Sequence, residues 1–141
     1  MRKWVFLFLF LFLPAFAFPQ TLSFDSNFYS FPSITAEDFE RGYTSAIQAT
    51  ALTVDCPGDW QLNINTYDPD LRGYGKPLTE FRWRKSSGGN PYQPISYVET
   101  LVDSGTPGNY TIYMDYRILL SWERDRPDSY NLTLIYNLTS P

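Results

Sequence analysis

Apolar and polar positions alternate along most of the chain after residue 45, most cleanly in "NYTIYMDYRILLSWERD". Tyr110, Ile112, Met114, Tyr116, Ile118, Leu120 and Trp122 fall on one side, and Thr111, Tyr113, Asp115, Arg117, Leu119, Ser121 and Glu123 on the other. Period two is the repeat of a pleated strand, whose successive side chains point to opposite faces. The pattern predicts a half-buried strand running through Trp122, either one long bent strand or two joined at a kink. "DWQLNINTY" sets Trp60, Leu62 and Ile64 inward, and "TEFRWRK" does the same for Phe81 and Trp83. In "SAIQATALTVDC" the inward set shifts from Ile47 towards Leu52 and Val54. A β-bulge accommodates such a one-residue slip. "YQPISYVETLV" is a weaker strand, with Pro94 favouring an edge or a bend.

The chain closes on "YNLTLIYNLTSP". Tyr130, Leu132, Leu134, Tyr136 and Leu138 form an apolar face, and Asn131, Thr133, Asn137 and Thr139 a polar one that Ile135 interrupts. This strand is expected to pair with the long strand across the "RDRPDS" turn. Between strands lie Pro57-Gly58, Asp68-Pro69, Gly88-Gly89 and "DSGTPGN", all turn chemistry. Strands of five to nine residues separated in this way predict an antiparallel β-sandwich. "TAEDFERGY" is the one helical stretch, with Thr35 as cap and Glu37 and Asp38 suited to a first turn. Residues 18–34, rich in aromatics and flanked by proline, read as a short strand with an irregular lead-in.

The first residues set the compartment. Arg2 and Lys3 precede an apolar run from Val5 to Leu13, Pro14 breaks it, and Ala15-Phe16-Ala17 fits a small-x-small cleavage site. The run is shorter than the ~20 residues that span a bilayer. Residues 1–17 are therefore expected to be a signal peptide, residues 18–34 a lead-in segment and residues 35–141 the β-sandwich domain. The expected destination is secreted, cell-surface or periplasmic, with no membrane span in the mature chain. Without Arg2 and Lys3, nine basic residues face fifteen acidic ones. Such a chain has no basic stripe to neutralise phosphates, which argues against a nucleic-acid partner.

Chemistry-bearing motifs are few. Histidine is absent, which removes imidazole acid–base catalysis and most transition-metal sites. No nucleophile elbow and no phosphate-cradling glycine loop occurs. Neither an enzymatic activity nor a cofactor is expected. Cys56, the single cysteine, reads as a small buried hydrophobe; the alternative is an intermolecular disulfide or a reactive thiol. Asp55, Asp59, Asp68 and Asp70 match no calcium-loop spacing and read as turn residues. Tyr67, Tyr74, Tyr92 and Tyr97 are candidates for a carbohydrate-stacking platform. Asn109, Asn131 and Asn137 head glycosylation sequons. Period two accounts for the pairing of Asn and Thr without a glycan.

From "ALTVDCPGDWQLNINT" to the C-terminus the layout resembles bacterial secreted immunoglobulin-like β-sandwich proteins of the pilin, spore-coat and biofilm-surface type. The residues that carry the likeness are Asp59-Trp60, the "FRWR" strand, "YRILLSWERDRPDSYNLTLIYNLT" and the turn Pro127-Asp128-Ser129-Tyr130. The Asp-x-Tyr spacing is similar to an immunoglobulin tyrosine corner. The resemblance implies an immunoglobulin-like sandwich of about seven strands and a role as an exported structural or surface subunit. Its partner would be a second copy or another surface protein, joined by strand addition. In that reading Leu22, Phe24, Phe28 and Phe31 of the lead-in are the partner-binding residues. The alternative is a periplasmic or cell-surface module that binds carbohydrate or a protein.

Overall fold

The structure, a computed structural model, describes residues 19–71, 75–125 and 130–141. The expected signal peptide, Tyr74 and the turn at residues 127–129 lie outside the described residues. Eight strands are present among those described: β1 Thr21–Phe24, β2 Tyr43–Cys56, β3 Trp60–Asn65, β4 Phe81–Lys85, β5 Gln93–Pro94, β6 Thr100–Gly105, β7 Gly108–Leu119 and β8 Ile135–Thr139. They form a five-stranded sheet in the order β1-β2-β7-β4-β5 and a three-stranded sheet in the order β6-β3-β8. Every pairing is antiparallel. The mostly-β, antiparallel architecture predicted from period two is the one observed. Among the described residues no helix is long and apolar enough to cross a membrane.

The inward positions of the two sheets share one core. Leu52, Val54, Ile112 and Met114 come from the larger sheet, and Trp60, Leu62 and Ile64 from the smaller. Each of these side chains is essentially buried, worth roughly 2 kcal/mol apiece in apolar transfer. Phe81 and Trp83 also point inward, as their alternation predicts. The predicted helix is α1, Ala36–Arg41. Thr35 and Asp38 cap it reciprocally, and Gly42 ends it in the left-handed conformation at φ 83°.

The bulge in β2 is larger than the sequence predicts. Ala46 lies opposite Tyr116 and Thr50 opposite Met114, so Ile47, Gln48 and Ala49 face the single residue Asp115. Two residues are inserted, not one. An even insertion keeps the parity of the strand, so Thr44, Ala46, Thr50, Leu52 and Val54 all remain buried. Ile47, expected inside, is consequently outside and 62% exposed. The bulge closes on Asp115, only 1% exposed. Its carboxylate accepts the Gln48 backbone N–H at 2.8 Å, the Arg84 Nε–H at 2.8 Å and the Ser86 hydroxyl. Burial by itself would raise the Asp115 carboxyl. The three donors together outweigh it and hold the group below the usual aspartate range.

Three other expectations are corrected. β7 stops at Leu119; the Leu120 N–H still donates in register to the Gly42 carbonyl at 2.8 Å, and the chain then turns at residues 122–124. Trp122 is therefore no strand residue; it lies 60% exposed with its ring stacked on Phe39 at 4.4 Å. β8 pairs with β3, Leu138 opposite Leu62, and not with the long strand. Alternation fixes which side of a strand is apolar, and either sheet can satisfy that side. Lastly, "YQPISYVETLV" divides into β5 and β6, which belong to different sheets. Pro94 does sit at a sheet edge, on the short outermost strand.

The connection from β6 to β7 is shorter than the predicted "DSGTPGN" turn, since β6 runs to Gly105 and β7 starts at Gly108. The Thr106 carbonyl accepts both Trp60 Nε1–H at 3.1 Å and the Tyr110 hydroxyl at 3.0 Å. A Cβ on residue 105 would lie 2.8 Å from the Trp60 ring, so only glycine lets the indole reach that carbonyl. Gly105→Ala is expected to lose about 2 kcal/mol of unfolding free energy in urea melts, as overpacking does. Asp115→Asn should lose about 2 kcal/mol through its charged hydrogen bonds. Because the folded carboxyl is depressed, its contribution is complete above the unfolded value near 3.8 and fades as pH falls through the folded one. Melts below that pH should therefore bring wild type and variant together.

Candidate functional site

β1 is an edge strand, and only one side of it meets the protein. Leu22, opposite Val54, is half-buried against the core, while Thr21, Ser23 and Phe24 are exposed. Asp25 extends the anchor: its N–H donates to the Ala51 carbonyl at 3.1 Å, and its carboxylate accepts the Ala51 N–H at 3.0 Å. From there to Thr35 the chain runs as a strap without regular structure, Ser26 and Phe28 closing a small hydroxyl-to-backbone turn.

The strap forms one wall of a cavity of about 530 Å³, within the range of small-molecule sites. The opposite walls come from β4, β7 and the segment leading into β8. Of the four residues expected to bind a partner, Phe24, Phe28 and Phe31 converge on this cavity, and Leu22 lies outside it. Phe28 is 75% exposed at its rim. Rings continue the lining inward: Phe31 meets Tyr29 edge-on at 5.3 Å, Tyr29 meets Tyr116 at 6.3 Å, and Tyr116 meets Phe81 at 5.6 Å. Phe24 and Tyr136 approach to 5.9 Å where the edges of the two sheets come together.

The polar groups of the cavity are few and arranged in a chain. The Tyr116 hydroxyl donates to Thr50 Oγ1 at 3.0 Å and lies 2.7 Å from the Tyr136 hydroxyl. With Tyr116 donating to Thr50, Tyr136 donates to Tyr116 and keeps its own oxygen lone pairs as acceptors. Burial pushes the Tyr136 phenol well above its ordinary value and raises Tyr116 as well. Both phenols are neutral at physiological pH and serve as hydrogen-bonding groups, not as bases. Asp68 is the one carboxylate among the described lining residues, and it accepts the Thr133 backbone N–H at 2.6 Å.

The remaining sequence candidates scatter. Tyr67 and Tyr97 are exposed, 73% and 53%, whereas Tyr92 is not: the Arg84 and Arg117 guanidiniums stack on its ring. Among the described residues no three His, Cys, Asp or Glu side chains gather as metal ligands. Cys56 is buried, and burial raises its thiol. Asn109 and Asn131 are exposed, while the Asn137 amide is engaged by Glu99 at 2.6 Å. Sequence reasoning took Tyr116 and Tyr136 as core-facing residues and missed their pairing. The available signal was that both inward rings are tyrosine, since a buried phenol needs a partner.

The chain matches no protein-family model, no curated protein and no solved structure.

Tyr136→Phe is expected to cost about 1 kcal/mol, the net worth of one hydrogen bond. Because the folded phenol is raised, its contribution is complete below the unfolded value near 10 and is lost as pH climbs towards the folded one. Denaturation series between neutral and strongly alkaline pH should show wild-type stability falling more steeply than that of the variant.

Proposed function

We propose that this chain is an exported, non-catalytic surface subunit with an immunoglobulin-like β-sandwich, assembling by exchange of its N-terminal strand and strap, residues 19–34. The observation that carries the reading is the way this segment is held. β1 is tied to β2 mainly through backbone pairing, with Leu22 as its one side chain packed on the core. The strap beyond it covers a cavity that it only partly fills. Such a segment can leave its own sheet edge and pair with an identical edge on a second copy, replacing every contact it gives up. The immunoglobulin-like assignment is supported by the buried Trp60 and by the Tyr110 hydroxyl returning to a carbonyl four residues upstream, the tyrosine-corner arrangement.

A second reading, a ligand-binding module, is favoured by the Tyr116–Tyr136 pair, which gives an otherwise aromatic cavity a fixed polar point. The two readings differ in oligomeric state. Ser23 and Thr53 are register partners across β1 and β2. Cysteines placed there fall within disulfide reach, because facing Cα atoms in antiparallel strands lie about 4.5–5.5 Å apart. In a Cys56→Ala background, oxidised Ser23→Cys/Thr53→Cys protein at high concentration should give a ladder of multimers on non-reducing gels. A single monomer band, with light scattering reporting one monomer mass at every concentration, rules out exchange and leaves the binding module.

A further inference from the structure

Arginines collect on the outer face of the five-stranded sheet, although the protein as a whole is acidic. Most described cations have a carboxylate partner: Arg41 with Asp38, Lys76 with Glu80 and Asp125, Arg84 with Asp115, Lys85 with Asp103, and Arg124 with Glu80. Among the described residues Arg82 and Arg117 do not. These two are register partners on β4 and β7, and both point away from the core. Like charges placed directly opposite one another destabilise a strand pair. Among the described residues no carboxylate forms an ion pair with either member of this one.

The pair is also built rather than merely present. Arg117 is clamped between the faces of Tyr43 and Tyr92, its Cζ 4.0 Å from each ring centre, and its Nε–H donates to Ser45 Oγ at 2.9 Å. Tyr92 is itself held from its other contact by Arg84, which Asp115 anchors. The Arg117 fork is therefore fixed in place before any ligand arrives. Arg82 Nε is buried and has no hydrogen-bond partner, a costly arrangement for a charged donor. Two arginines carried on register partners of one sheet face, one of them immobilised and neither ion-paired among the described residues, offer the double positive charge and the forked donors that a doubly charged oxyanion takes.

We propose that Arg82 and Arg117 form a binding site for a tetrahedral dianion, a sulfate or phosphate group. A single carboxylate neutralises only one of the two charges and is the weaker ligand. The site lies on the opposite side of the sheet from the aromatic cavity and does not depend on strand exchange.

The test is a thermal-shift and calorimetric titration of the mature protein with sodium sulfate, sodium phosphate and sodium acetate, each against sodium chloride at matched ionic strength. Sulfate and phosphate should raise the melting temperature, with acetate and chloride well behind. Arg82→Gln should bind sulfate at least about tenfold more weakly, the loss of one charged fork. Arg82→Lys, which keeps the charge without the fork, should fall between the two. A sulfated oligosaccharide in parallel distinguishes the sources: tighter binding than free sulfate assigns the group to a polymer, and equal binding to the free ion. Arg82→Gln is chosen because Arg82 takes no part in the aromatic stack, so the variant is expected to fold. Equal sulfate response in wild type and Arg82→Gln overturns the proposal, as does a wild-type response no larger than that to chloride.

Discussion

The pairing of β2 with β7 is the constraint on which the other elements hang. These are the two longest strands, and every remaining strand of the larger sheet attaches to one of them: β1 to the far side of β2, and β4 with β5 to the far side of β7. Their inward residues supply seven of the sixteen buried residues of the shared core among those described. Their outward residues supply Asp115 and Arg117. A double insertion in the middle of this pairing would normally threaten it, because bulges break the ladder and leave polar backbone groups without partners. Asp115 removes that difficulty by accepting the Gln48 N–H directly. Gln48 adopts φ 51°, a left-handed conformation seldom used by residues other than glycine. The carboxylate, the bulge and the strained residue form one device that lets a fourteen-residue strand keep the same face to the core along its whole length.

How far this was legible in the sequence depends on whether a feature is local. Trp60, Leu62 and Ile64, the inward face of β7 from Ile112 to Ile118, and the helix from its Thr35 cap to Gly42 follow from rules that act within a few residues. Those were readable. The partner of β8 was not, because its face Tyr136–Leu138 suits either sheet, and the choice of β3 depends on where the chain travels after Leu120. Ile47 failed for another reason. Its apolar side chain invites burial, and the position that exposes it is imposed by Asp115, 68 residues away in sequence. Tyr92 looked like a surface ring until the two arginines from neighbouring strands closed over it.

The candidate site divides in the same manner. Phe24, Phe28 and Phe31 stood out as aromatics without strand period, and the structure brings these three to one cavity. The groups that give the cavity polarity, Tyr116, Tyr136 and Thr50, sit on three different elements, two of them in the larger sheet and one in the smaller. Period two placed each of the two tyrosines on an inward face and carried no information about their meeting. Aromatic side chains here do two separate jobs. Inside the strap they enclose space, and on the outer face Tyr43 and Tyr92 immobilise charge.

The ends of the described chain lie side by side. Gln20 donates from its amide nitrogen to the Leu138 carbonyl at 3.2 Å and accepts the Ser140 hydroxyl on its amide oxygen at 3.2 Å. A load applied between residues 20 and 140 is thus not carried along the strands. It acts first on these two side-chain bridges and then on the ends of the two edge strands, β1 at its pairing of Thr21 with Asp55 and β8 at its pairing of Thr139 with Gln61. Peeling of this kind yields at low force, whereas the long β2–β7 ladder is not in the line of pull. Mechanically, the molecule is a rigid body with a soft clasp.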